Sequence, residues 1–135
     1  MYDRHSEVSS VPAINPGATI TGNSTTNSAI IDRAGFGEIE FLIQSGAVTD
    51  GTQTPSITEG DAANLSDGAA VTGNLLGTVA AATFTGSGDA NKTKRIGYKG
   101  DKRYLRLTLT QSGATSGGIY CAQALLGKPS FAPQP

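Results

Sequence analysis

The cleanest rhythm in the chain lies at 104–110, where Leu105, Leu107 and Leu109 alternate with Tyr104, Arg106, Thr108 and Thr110. A period of two predicts a strand with one face in a core, because successive side chains of a strand point to opposite sides. The stretch GEIEFLIQSG (37–46) repeats the pattern, Ile39, Phe41 and Ile43 alternating with Glu38, Glu40 and Gln44, and only Leu42 breaks it. GIYCAQALLG (118–127) behaves differently. Ile119, Cys121 and Leu125 fall on one side and Tyr120, Ala122, Ala124 and Leu126 on the other, so both faces are largely apolar. A strand of that kind is usually covered twice, by its own core and by a further layer or subunit.

Shorter β-prone runs fill the rest. GATIT (17–21) and SAIIDR (28–33) flank GNSTTN, whose Gly and Asn accept positive φ, and this predicts a hairpin. Further strands are expected at 56–59, with Pro55 at a sheet edge or strand start, near 82–85, and through Ile96 and Tyr98. In the intervening stretch 62–82, Gly68, Gly73 and Gly77 would each cost about 1 kcal/mol in a helix interior, which leaves a long excursion with a short strand. The expected fold is an all-β, single-domain antiparallel β-sandwich, with the jelly roll among the connectivities that fit. Residues 1–16 carry charges, serines and two prolines with few apolar anchors and predict a flexible N-terminal arm. The sandwich would span 17–127, and KPSFAPQP (128–135) would form a Pro-rich tail unable to continue a sheet.

Composition agrees with this reading. The 135 residues fit one core, and 18 glycines with only 16% charged residues describe short strands joined by tight turns. A net charge of −1 argues against a general polyanion binder, whose affinity rests on many cations. The charge is nevertheless polarised: residues 1–67 hold nine acidic and two basic side chains, residues 68–135 two acidic and eight basic. Either the halves neutralise one another within the fold, or complementary surfaces meet between copies. No stretch approaches a membrane span and the N-terminus has no apolar signal core, so the expectation is a soluble protein made without an encoded export signal, with no membrane partner.

Reactive chemistry is hard to assemble. His5, the sole histidine, lies in the expected arm with nothing to orient it as a base. Cys121 is alone, so it forms no intrachain disulfide, and a buried free cysteine commonly serves as a small core residue. Glu38, Glu40, Glu59 and Asp61 would be the carboxylates for glycosidase chemistry, but Glu38 and Glu40 read as solvated strand positions and there is no tryptophan for a sugar platform. TGSGDANKTK has Asn91 where a phosphate loop needs Gly before Lys, and TDGTQTPSITEGD lacks the alternating Asp/Asn ladder of a calcium loop. The expectation is a non-enzyme with no catalytic residue, no cofactor and no metal.

What remains is the cationic stretch, Lys92, Lys94, Arg95, Lys99, Lys102, Arg103 and Arg106, with Tyr98, Tyr104 and Tyr120 near it in sequence. It reads as a solvated basic hairpin, as a contact for acidic protein surface, or as a grip on phosphates and bases. One hairpin of cations on a net-acidic protein exerts little pull on a duplex. The expectation is therefore a protein interface built from Arg95, Tyr98, Arg103, Tyr104 and Arg106 together with Ile119, Tyr120 and Leu126, and no nucleic acid.

The run IGYKGDKRYLRLTLTQSGATSGGIYCAQALLGKP, preceded by GFGEIEFLIQSGAVTDG and ITEGDAANLSDG, resembles small structural proteins of tailed bacteriophages encoded among head genes. The resemblance spans roughly 29–128, and its most specific part is I-G-Y-x-G-x-K-R-Y-x-R at 96–106. It implies a capsid decoration or cement protein, often a β-sandwich trimer, with the major capsid protein and further copies as partners and the virion capsid surface as location. Neck and tail components are built similarly. The resemblance carries over no catalytic residue. A carbohydrate-binding sandwich on the virion surface is the alternative from another class.

Overall fold

In the computed structural model, which describes residues 3–130, the three rhythmic runs become long strands of two packed sheets. In chain order the elements are a short helix α1 (Arg4–Glu7), then β1 (Val8–Ile14), β2 (Ser24–Asn27), β3 (Ile31–Asp32), β4 (Phe36–Val48) and β5 (Thr52–Gly60). They continue with β6 (Ala69–Ala70), β7 (Leu75–Leu76), β8 (Phe84–Thr85), a 3-10 turn (Ser87–Asp89), β9 (Thr93–Tyr98), β10 (Tyr104–Ser112) and β11 (Gly118–Pro129). The first sheet runs β1-β11-β4-β9-β7; the second runs β2-β10-β5-β6, with β3 also on β10 and β8 also on β5. All the pairings are antiparallel, and the protein is a β-sandwich.

The core lies where the inward rows meet. Ile39, Phe41 and Ile43 of β4 and Ile96 and Tyr98 of β9 join Tyr120, Ala122, Ala124 and Leu126 of β11 on the first sheet, and all are buried. Leu105, Leu107 and Leu109 of β10 and Ile57 of β5 are buried on the second. Removal of this apolar surface from water is the main force holding the sheets together. Phe84 and Tyr120 pack edge to face, ring centroids 5.3 Å apart, in the offset geometry that aromatic quadrupoles favour.

Several local expectations are corrected. GNSTTN is no turn between paired strands: its residues 24–27 form β2 on β10, while Ile20 makes only a single bridge to Gly118. Side chains explain the route. The buried Gln111 amide donates to the Ile20 and Gly22 carbonyls at 2.7 and 2.8 Å, and Ser28 Oγ accepts the Leu107 N–H at 3.0 Å, so the segment is tied to β10 rather than to itself. The loop 113–117 closes around Asp50, whose carboxylate accepts the N–H groups of Thr115, Ser116 and Gly117. Gly117 has φ +75°, and a Cβ there would collide with the Ile20 carbonyl.

The expected arm is partly a strand. Val8–Ile14 pairs with β11 along the edge of the first sheet, with Ala13 and Ile14 buried. Pro12 is tolerated because an edge strand has a side on which no N–H is needed, and the register shifts just past it. At the other end Lys128 and Pro129 belong to β11, Pro129 opposite Phe36, so the tail begins later than expected; 131–135 lie outside the described residues. Pro55 sits inside β5 opposite Leu109, at the gap between the β8 and β6 pairings rather than at a strand start.

Candidate functional site

The cationic stretch is built from β9, the turn after it and the first half of β10, and most of its charge is answered within the chain. Arg103 Nε and Nη2 donate to the two carboxylate oxygens of Asp32 at 2.8 Å each. That guanidinium holds the Asp32 carboxyl below the usual carboxylate range. Lys102 meets Asp61 at 2.8 Å, Arg95 meets Glu40 at 3.7 Å and Lys128 meets Glu38 at 3.3 Å. Each of these pairs joins an acid of the first half to a base of the second, so the polarity along the sequence is largely neutralised across strands. Lys92 and Lys94 both reach Asp89 at 3.3 Å. Apart from the partly buried Lys94–Asp89 contact, these pairs are solvent-exposed and add little stability.

Arg33, which the sequence pattern did not single out, organises the basic turn. Its Nε donates to the Lys102 carbonyl at 2.5 Å and its Nη2 to the Gly100 carbonyl at 3.0 Å, while its guanidinium carbon lies 5.6 Å from the centre of the Tyr98 ring. Tyr98 is a core residue, only 2% exposed, and not an interface residue. Its hydroxyl donates to the Glu59 carboxylate and accepts the Lys102 N–H at 3.0 Å. Burial, and then the bond to Glu59, push its phenol up to about 12.

The eight expected interface residues do not form one surface. Tyr120 and Leu126 join Tyr98 inside: in the register of β11 on β4, Tyr120 faces Ser45 and Leu126 faces Ile39, on the buried side. The same register turns Ile119, Cys121 and Leu125 outward. They remain only half-buried although β11 is flanked on both sides. Leu42, the residue that broke the alternation of β4, stands opposite Gln123 on this outer face, and Arg95 opposite Leu42. Leu76, 48% exposed, crosses Gly97 on the same side, where a Cβ would come within 3.0 Å of its own Cβ. A shallow groove of about 300 Å³ runs between Leu76, Leu125 and Val8, with Glu38 and Glu40 among its walls. The sequence signal for Leu42 was its failure to alternate; for Leu76 there was none.

Tyr104 and Arg106 belong to the second sheet, and Arg103 immediately precedes its strand β10. The Arg103 guanidinium lies 5.0 Å from the centre of the Tyr104 ring. Tyr104 and Arg106 point outward from β10, away from the core occupied by Leu105 and Leu107. Threonines and a serine surround them on β5 and β10: Thr58 faces Arg106, Ser56 faces Thr108 and Thr54 faces Thr110. The two outer faces thus differ in kind, one alternating half-buried Leu42, Ile119, Cys121 and Leu125 with Gln44, Gln123, Glu40 and Arg95, the other hydroxylic. Among the described residues no group of three or more His, Cys, Asp or Glu side chains is placed to hold a metal ion. No helix among them is long and apolar enough to cross a membrane.

No protein-family model matches the chain, and no curated protein matches it in sequence. Solved structures share its fold. PBSX exported protein XepA aligns over 94% of this chain at 13% identity with a TM-score of 0.56, and the chain spans only 39% of that protein's length. SPBc2 prophage-derived protein YomS aligns over 90% of this chain and 94% of its own at 12% identity, TM-score 0.51. CBM35 from Paenibacillus barcinonensis aligns over 94% and 98% of the two chains at 14% identity, TM-score 0.45. At these identities the likeness to the first two is one of fold, the two-sheet antiparallel sandwich.

Proposed function

We propose that this chain is a non-enzymatic structural protein of a phage virion, a decoration subunit that binds the major capsid protein on the head surface and associates with its own copies as a homotrimer. The observation that carries the reading is the outer face of β11 and β4. Ile119, Cys121, Leu125 and Leu42 stand half-buried at the middle of the first sheet, with the exposed Leu76 beside them. Half-buried apolar side chains set among amides and charges suit a surface that a symmetric assembly covers. Glu40 stands opposite Leu125 and Arg95 opposite Leu42, poised to exchange their loose 3.7 Å contact for contacts with a neighbour. The resemblance of 96–106 to phage head proteins supports the same assignment, as does the likeness in fold to the SPBc2 prophage-derived protein YomS and the PBSX exported protein XepA.

The non-enzymatic part rests on where the acids are engaged. Asp50 and Asp67 accept backbone N–H groups, Asp32 and Asp89 hold cations, and Glu59 holds a phenol, which leaves them as fasteners of turns and strand ends. Jelly-roll connectivity belongs to the same proposal, supported by the order β1-β11-β4-β9 facing β2-β10-β5-β8, in which every step from one of these strands to the next crosses between the sheets except β5 to β8, which pair with each other.

Light scattering tests the assembly surface. The purified protein is expected to run as a trimer, and Leu125→Asp, which alters an outward position, is expected to give a folded monomer. A wild-type monomer at tens of micromolar, or a trimer indifferent to Leu125→Asp, would contradict the reading.

A further inference from the structure

The outer face of the second sheet presents a different chemistry from the face assigned to assembly. Across β2, β10 and β5 the outward positions are Thr25, Thr110 and Thr54 in one row and Asn27, Thr108 and Ser56 in the next. Neighbouring positions are separated by roughly 5 Å across the strands and by about 7 Å along them. No large apolar side chain interrupts these rows. The buried core of a protein interface is more apolar than its rim, and this part of the face has no such core. It offers instead rows of hydroxyl and amide groups, among which the Thr108 hydroxyl already donates to Asn27 Oδ1 at 2.8 Å and keeps its acceptor side.

One cation stands among those rows. Arg106 lies between Tyr104 and Thr108 on β10 and opposite Thr58 on β5. Unlike Arg95, Lys102 and Arg103, it meets no carboxylate among the described residues. Its Nε is shielded from water and has no acceptor. Its side chain is therefore anchored against the sheet, and its terminal nitrogens have no protein partner among the described residues. A half-buried guanidinium with unfilled donors selects a planar anion that accepts two parallel hydrogen bonds, as a carboxylate does. Tyr104, braced by Arg103 at 5.0 Å, supplies an aromatic ring beside it.

We propose that this face binds an acidic polysaccharide, with Arg106 receiving a uronic-acid carboxylate and the hydroxyls of Thr58 and Thr108 on either side engaging the sugar's own hydroxyls. The site goes beyond the decoration reading and uses the opposite sheet, so a particle-bound subunit would keep it turned away from the β11–β4 contact. It would give the virion a weak hold on charged surface glycans.

The test is affinity electrophoresis of the full chain through gels containing polygalacturonate, alginate or hyaluronan, with methyl-esterified polygalacturonate as the uncharged control, at about 0.15 M salt. Retardation is expected from at least one uronate polymer and not from the ester. Arg106→Gln should weaken it at least about tenfold, Tyr104→Ala should weaken it, and Lys92→Gln, the same charge loss elsewhere, should leave it intact. Unchanged melting of Arg106→Gln would establish that the fold is kept; should it not fold, Thr58→Val and Thr108→Val together provide the same comparison. No retardation by any uronate polymer, equal retardation by the ester, or equal loss with Lys92→Gln overturns the proposal. So does an Arg106→Gln protein that leaves phage particles while wild type ignores the polymers, an outcome that would make Arg106 a protein contact. Loss of polymer binding with normal particle occupancy leaves the decoration reading untouched.

Discussion

Individual side chains show where the sequence misleads. Tyr98 stands in a run of cations, and composition makes it look exposed, yet its place opposite Ile39 turns it into the core. Only the pairing partner reveals this, because a strand of six residues with Gly97 inside has too short a pattern to fix its own inward face. The burial has a measurable consequence. With the phenol pushed up to about 12 in the fold, against about 10 in an unfolded chain, the native state holds a proton that the unfolded state has released. The stabilisation is therefore complete below about pH 10 and is lost as pH rises through the interval from about 10 to 12. Melting temperatures recorded across that interval should fall for the wild type and fall less steeply for Tyr98→Phe, which should start lower because Glu59 loses its donor. Parallel slopes would show that Tyr98 does not titrate as its setting requires.

At the scale of elements, legibility followed the length of the hydrophobic rhythm. β4 and β10 could be read in advance because Ile39, Phe41 and Ile43, and Leu105, Leu107 and Leu109, leave one choice of inward face. β11 could be seen as a strand but not oriented, since both its faces are apolar; its register against Phe41 and Ile43 makes the choice, and the outward row follows from it. β2 was hidden by turn-like composition, and β1 by prolines and charges at its ends. The short β8 matters more than its two residues suggest. It delivers Phe84, fully buried against Tyr120, to the end of the core. Phe84→Ala should cost about 3–5 kcal/mol, read as a lower midpoint in urea with an unchanged slope. A loss below about 1 kcal/mol would mean that the site collapses to fill the space.

For the whole molecule, the separation of charge along the chain proved to be mainly an internal matter: acids of β3, β4 and the β5–β6 connection meet bases of β9, the β9–β10 turn and β11. What remains for partners is the contrast between two outer faces, which no linear pattern displays because each face collects residues from strands distant in sequence. The first sheet turns Leu42, Leu76, Ile119 and Leu125 outward, and the decoration reading depends on their being covered. Electron cryo-microscopy of the native phage particle measures this most directly. The account predicts threefold clusters of this chain repeated over the head surface, with the outer face of β11 and β4 buried in contacts and the threonine face of β10 toward solvent. A single ring at one vertex, or a head-bound subunit whose β11–β4 face is left bare, would contradict it.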